Sequence, residues 1–336
     1  MKVSDLRSHA RSTLSVTAVG LGCAQMGNLY RVTPYPESLG AFEAAWDAGI
    51  RYFDTAPFYG FSRSELRLGT MLGEHPRDSY HVSTKVGRVL EPDATVGALE
   101  EGYAQPLPFR PVFDYSHDGV MRSFEASQRR LGLLAPDILY VHDIGRVTHG
   151  ERHEHHWRQL TEGGGFRALT KLRDEGAIKA FGLGVNEWEV IAAAIEVADL
   201  DICMLAGRYT LLEQESLPLM DACARGGIGI VVAGAFNSGI LAGGSTFNYE
   251  TAPAGIVARV KTLRQACEAE GVTLQAAALQ FPLAHPAALT LVSGARTGSQ
   301  LRSNIDWFEQ TIPAAFWMGL KERGLIAEGA PVPGGA

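Results

Sequence analysis

A (β/α)8 barrel is the fold class that this 336-residue sequence predicts, on three observations. Eight short apolar or β-branched runs recur along the chain, an amphipathic stretch follows each of them, and no repeat or low-complexity linker divides the whole. The runs lie at 15–21, 50–54, 80–84, 137–141, 178–183, 201–205, 228–233 and 289–293, and their length and β-branched content mark them as strands. Helical periodicity is expected over 36–48, 63–73, 118–132, 165–175, 187–198, 214–225, 255–270 and 298–309. Gly49, Gly132, Gly176 and the Gly226-Gly227 pair stand where helix C-termini are expected. Continuous apolar strands alternating with helices imply a parallel sheet covered on both faces with right-handed crossovers, and eight such units close a barrel. A doubly wound sheet would need GxGxxG after its first strand. That place reads Gly20-Leu21-Gly22-Cys23-Ala24-Gln25-Met26-Gly27, and the spacing does not match. One domain over 1–336 is expected, with long connections at 86–117 and 143–164.

Composition excludes several functions. With 46% hydrophobic and 20% charged residues the chain has the profile of a globular protein with a large core. A net charge of -7 with scattered Lys and Arg argues against a nucleic-acid partner, since phosphate neutralisation needs a basic face. The N-terminal MKVSDLRSHARS carries charge where a secretion signal needs an apolar run, so a cytoplasmic location is expected. Residues Val272 to Ala295 lack Asp, Glu, Lys and Arg, but Pro282, His285 and Pro286 interrupt them. A helix followed by a buried strand is expected there, and no membrane span. Cys23, Cys203, Cys223 and Cys267 show no CxxC spacing and read as free buried thiols. His153, Glu154, His155 and His156 fall in the second long connection, where adjacent histidines do not set the i, i+4 geometry of a helical zinc motif; no metal is expected.

Four polar residues stand at consecutive strand ends. Asp54 closes the second strand and Tyr59 follows five positions later in FDTAPFYG; Lys85 closes YHVSTK, and His142 follows DILYV. The C-terminal strand ends of a barrel converge on one pocket, so all four become neighbours. An unperturbed Tyr titrates near about 10. An ammonium beside it favours the phenolate, so Lys85 is expected to bring the phenol towards its titration point. The long connections, aromatic at Tyr103, Phe109, Phe113 and Tyr115, are expected to shape the pocket.

With FDTAPFYG, STKVG and VHD in this order, the chain resembles the aldo-keto reductase superfamily from VGLGCAQMG to GARTGSQLRSN. Its segments FDYSHDGVMRSFEASQRRLGL, LAGRYTLLEQ and AGAFNSGILAGG resemble the branch of D-threo-aldose 1-dehydrogenase, L-fucose dehydrogenase and pyridoxal 4-dehydrogenase. The resemblance implies a catalytic tetrad of Asp54, Tyr59, Lys85 and His142 and an NAD or NADP cofactor. The implied reaction oxidises the anomeric carbon of a cyclic aldose to a lactone. Pyridoxal oxidised through its hemiacetal is the alternative, with the 103–115 aromatics stacking the pyridine; a nucleotide-sensing regulatory barrel akin to potassium-channel β-subunits is a third reading.

The same resemblance places Gly22 and Cys23 beside the nicotinamide ribose. Asn186 stands where a Ser usually holds the carboxamide; Glu187 and Ala206 replace the Asn and Gln expected nearby. Phe236, Asn237, Ser238, Gly239 and Leu241 align with the loop along the pyrophosphate, without the common SPL sequence. Gly294, Arg296, Gln300 and Asn304 fall in the adenosine region, where a helix from about Gly298 would offer backbone N–H groups to a phosphate. Gly294 and Gln300 occupy places that carry Lys and Arg in many NADPH-dependent members, which favours NAD, while Arg296 could meet a 2′-phosphate.

Overall fold

The computed structural model describes residues 1–335 and contains a closed, all-parallel eight-stranded barrel. Its strands are β1 (Val19–Gly22), β2 (Tyr52–Asp54), β3 (His81–Val86), β4 (Ile138–His142), β5 (Ala180–Val185), β6 (Ile202–Ala206), β7 (Gly229–Ala233) and β8 (Ala288–Gly294), with β8 pairing back onto β1. The principal helices are α1 (Tyr35–Asp47), α2 (Arg63–Leu72), α3 (His117–Leu131), α4 (Gly165–Asp174), α5 (Trp188–Ile195), α6 (Leu217–Gly226), α7 (Ala254–Ala269) and α8 (Gly298–Glu309). Each expected helix is present, and the uncharged run at 272–295 becomes the helix Leu274–Gln280 followed by β8. No helix is long and apolar enough to cross a membrane among the described residues.

Strand alternation divides the core in two. Tyr52, Ile138, Tyr140, Ile202, Met204 and Val231 point inward and fill the barrel with Leu14 and Val16 from its N-terminal end. Their neighbours Phe53, Leu139, Val141, Cys203, Leu205, Ile230 and Val232 point outward into the larger core under the helices. The four cysteines are free and buried in the described structure.

Three local readings are revised. The expected strand 15–21 is two: Ser15–Thr17 pairs antiparallel with Leu6–Ser8 and caps the barrel floor, while Val19–Gly22 enters the barrel. The break falls at Thr17, whose hydroxyl donates to the Val19 carbonyl at 2.8 Å. The 86–117 connection is a hairpin, Arg88–Pro92 with Phe109–Phe113, and a smaller one at its tip pairs Leu99–Glu100 with Tyr103–Ala104. The histidine run lies on a helix, His153–Leu160, not in an irregular loop.

Strand register sets the site. Gly22 is level with Asp54, Asp54 with Ser83, Lys85 with Tyr140 and His142 with Gly184. The four strand-end residues therefore rise towards the same mouth of the barrel.

Candidate active site

Asp54, at the end of β2, receives two hydrogen bonds from β3. Lys85 Nζ donates to Oδ2 at 2.7 Å and Ser83 Oγ to Oδ1 at 2.7 Å. Lys85 also donates to the Thr55 carbonyl at 2.9 Å, and its side chain is 2% exposed. Burial raises the Asp54 carboxyl above its usual range, with Lys85 and Ser83 opposing that shift.

A polar chain from inside the barrel ends on the same carboxylate. Tyr140 and Tyr52 hydroxyls lie 3.1 Å apart, and Tyr52 Oη is 2.9 Å from Ser83 Oγ. Because a carboxylate only accepts, Ser83 donates to Asp54, Tyr52 to Ser83 and Tyr140 to Tyr52. Asp54 thus gathers three hydroxyl dipoles and one ammonium.

Tyr59 is placed by backbone contact. A β-carbon on Gly27 would lie 2.4 Å from the Tyr59 carbonyl carbon, and one on Gly60, at φ +66, would lie 2.2 Å from the Gly27 carbonyl oxygen. Two facing glycines let the β1 and β2 loops touch. Lys85 Nζ then sits 4.6 Å from the centroid of the Tyr59 ring. His142, at the end of β4, meets that ring edge-on with centroids 5.9 Å apart. All four residues line one cavity of about 660 Å³.

The electrostatics differ from expectation at Tyr59. Burial lifts its phenol well above the ordinary value; the Asp54 and Asp143 charges push the same way, while Arg88 opposes them. Lys85 is bound to Asp54, so the ammonium reaches the phenol already compensated, and Tyr59 rests as a neutral proton donor. Burial, then Arg88 and Lys85, hold the His142 imidazole well below its ordinary value and therefore neutral. Its Nδ1 is buried without a partner, and its Nε2 lies 3.4 Å from Asp143 Oδ2.

The remaining expected residues divide into two groups. Gly22, Cys23, Asn186, Phe236, Asn237, Ser238, Gly239 and Gly294 line the same cavity, as does Ala206. The other four do not line it. Leu241 is fully buried in the core, and Asn304 donates to Ser293 Oγ at 2.9 Å. Arg296 donates to the Leu29 carbonyl and to Thr33 Oγ1, the latter at 2.9 Å, while its backbone N–H is taken by Gln300 Oε1. Asn186 accepts from the Tyr249 hydroxyl at 3.3 Å, and Glu187 accepts from the Val147 N–H at 3.0 Å. α8 starts at Gly298 with Thr297 as its cap, bonded to the Gln300 N–H.

A nicotinamide nucleotide fits this cavity on its donor and acceptor set. Gln25 Oε1 and Asn237 Oδ1 are buried acceptors with no partner among the described residues, suited to the N–H and O–H donors of a carboxamide or ribose. Asn237, Ser238 and Gly239 are three successive left-handed residues, at φ 46, 59 and 107. The volume lies in the ordinary range for ligand pockets, about 300–1,000 Å³. Among the described residues, no group of three or more His, Cys, Asp or Glu side chains could hold a metal ion.

Several lining residues were not foreseen. Tyr30, Phe58, Asp143 and Tyr249 face the cavity together with Tyr103. Of the aromatics expected to stack on a substrate, Tyr103 lines the cavity, while Phe113 and Tyr115 pack on His149 and His156 instead. The one sequence signal was Asp143 itself, a charged residue directly after a buried strand and its terminal histidine.

Comparison with known proteins agrees with this geometry. Residues 18–322 match the model of the Aldo/keto reductase family. The chain is 51% identical to pyridoxal 4-dehydrogenase of Microbacterium luteolum, over 97% of this chain and 99% of that one. It is 39% identical to D-threo-aldose 1-dehydrogenase of a Pseudomonas species, over 94% and 97%. Among solved structures, the holo form of an aldo-keto reductase from Bacillus halodurans, AKR11C1, superposes with a TM-score of 0.72 at 22% identity, covering 95% of this chain and 96% of that one. The barrel, its loaded C-terminal mouth and these matches together place the chain in the aldo/keto reductase family, as an NAD(P)-dependent oxidoreductase.

Proposed function

We propose that this enzyme oxidises a cyclic hemiacetal to a lactone, with pyridoxal as the substrate and NAD as the hydride acceptor. The observation that carries the chemistry is the meeting of Tyr59, Lys85, Asp54 and His142 around one cavity. A hemiacetal carbon bearing H and OH becomes a lactone carbonyl by losing a hydride and a proton. When bound, a nicotinamide supplies the hydride acceptor. Tyr59 Oη takes the proton as the phenolate, its own phenol proton having first left to solvent through the mouth of the cavity. Lys85 faces its ring, Arg88 also favours the phenolate, and Asp54 with its hydroxyl chain fixes the position of Lys85. Neutral His142 offers a hydrogen bond to the reacting oxygen and holds it against Tyr59.

The 51% identity over nearly both lengths supports pyridoxal. The aromatic lining supports it too, since Tyr30, Phe58, Tyr103 and Tyr249 offer faces and edges to a planar ring. An aldose oxidised at its anomeric carbon, the reading favoured by sequence alone, stands second on the strength of the 39% relative. Both share the same chemistry. The choice of NAD rests on Gly294 and Gln300 bringing no charge, and on Arg296 already engaged with Leu29 and Thr33. Gly22, Cys23, Asn186, Phe236, Asn237, Ser238 and Gly239 would contact the nucleotide, with Leu241 and Asn304 supporting the wall behind them. The whole chain, 1–336, would act as one barrel domain.

The test is nucleotide reduction followed by absorbance, with pyridoxal, L-fucose and D-arabinose against NAD and NADP. The expected result is a kcat/KM for pyridoxal with NAD at least about tenfold above every other pair, each 1.4 kcal/mol of selectivity being a factor of ten. Turnover of the sugars alone would establish the second reading; no turnover of any would overturn both.

A further inference from the structure

Arg88 and Asp143 form a second ion pair at the cavity that the tetrad does not use, its guanidinium buried and its carboxylate partly exposed. Arg88 Nη2 lies 2.5 Å from Asp143 Oδ2, and the Arg88 side chain is 5% exposed. The guanidinium is clamped between two rings, 3.9 Å from the Phe58 centroid and 5.0 Å from that of Phe113. Asp143 has a left-handed backbone, φ 47, and its N–H is tied to the Gly184 carbonyl at 3.0 Å. Backbone and guanidinium therefore hold the carboxylate rigidly, with Oδ2 spoken for by Arg88 and 3.4 Å from His142 Nε2. No described group donates to Oδ1, and the residue lines the cavity. The Asp143 side chain is 17% exposed and lines the cavity, so a ligand that displaces water from Oδ1 must supply a donor in its place.

We propose that Asp143 is a specificity residue, whose Oδ1 accepts a hydrogen bond from an N–H or O–H on the ring of the bound hemiacetal. This rests on the hemiacetal reading above and adds to it the half of the substrate that is not oxidised. Because Asp143 follows His142 in the chain and its other oxygen approaches the same imidazole, the group it meets is a neighbour of the reacting carbon on the ring or across it. In pyridoxal that donor is the protonated ring nitrogen; in an aldose it is a ring hydroxyl such as that on C2. Both present a hydrogen to an anion, and the substrate pairs below tell them apart. A site that pairs a fixed carboxylate with a substrate donor rejects an analogue that lacks the donor more strongly than an apolar pocket rejects a missing methylene.

The test uses two substrate pairs and one variant. Pyridoxal is compared with its benzene analogue, in which C–H replaces the ring nitrogen, and L-fucose with 2-deoxy-L-fucose. The wild type should prefer the donor-bearing member of at least one pair by about 100-fold in kcat/KM. In Asp143→Asn the amide oxygen turns to Arg88 and its NH2 faces the substrate donor, so the preference should fall to within about threefold. Asn accepts the left-handed backbone readily, and nucleotide affinity measured by fluorescence quenching checks that the variant is folded. A role limited to positioning His142 would lower kcat for both members of each pair equally, and that result overturns the proposal. Wild-type turnover without preference in either pair overturns it too while leaving the hemiacetal reading intact; absence of all turnover overturns both.

Discussion

The Lys85 ammonium lies 2.7 Å from the Asp54 carboxylate and 4.6 Å from the centre of the Tyr59 ring, and both partners of the ion pair are at most 3% exposed. The pair is thus a buried charge couple whose positive end faces the phenol. Removing one partner of such a pair leaves an uncompensated charge, at a cost of about 3–5 kcal/mol, whereas removing both is far milder. Lys85→Met is expected to lose that much stability in urea unfolding, and Lys85→Met with Asp54→Asn to regain at least half of it. Equal stability of the single and double variants would contradict the coupling.

The contact between Gly27 and Gly60 is expected to be as restrictive for activity as for folding. A methyl at position 60 meets both a positive φ and the Gly27 carbonyl oxygen at 2.2 Å. Gly60→Ala should cost more than about 1 kcal/mol. It should also lower kcat/KM by about 100-fold through displacement of Tyr59. Steady-state kinetics on material shown to be folded by circular dichroism checks this. Unchanged kinetics would mean that the two loops do not set the phenol.

Acidification should weaken the fold through His149. Burial first, then His156 and Arg88, bring this imidazole down to about 4 from 6.5. Its Nε2 lies 2.9 Å from the Tyr115 hydroxyl, which spends its one proton on the His142 carbonyl, so Nε2–H is the donor and the ring is neutral. As the pH falls below 6.5 the unfolded chain binds a proton that the folded chain accepts only near pH 4. Stability therefore drops across that window and is fully present above it. Urea unfolding of His149→Gln at pH 7 and pH 5 should show a smaller difference between the two pH values than the wild type. An identical difference would exclude His149 as a contributor.

Much of this was legible because barrel physics is periodic. Eight apolar runs and eight amphipathic stretches are local signals, and strand ends such as Asp54, Lys85 and His142 inherit a shared location from the fold. What was hidden depends on side-chain direction and long-range contact. Tyr52, Ser83 and Tyr140 read as core residues, and only the register brings their hydroxyls into a chain ending on Asp54. Arg88 and Asp143 are 55 positions apart, and no sequence periodicity pairs them. The expected effect of Lys85 on Tyr59 took proximity into account but not the compensation by Asp54 or the burial of the phenol. The split at Thr17 coincides with one hydroxyl-to-carbonyl bond inside a run that reads as a single strand.

The central claim is that Tyr59 moves the proton that accompanies hydride transfer, and Tyr59→Phe tests it most directly. General acid–base catalysis contributes about 10²–10⁴-fold, so lactone formation from pyridoxal and NAD should fall by at least about 100-fold, with nucleotide affinity within about twofold of wild type. A Phe variant that turns over at the wild-type rate would contradict the account.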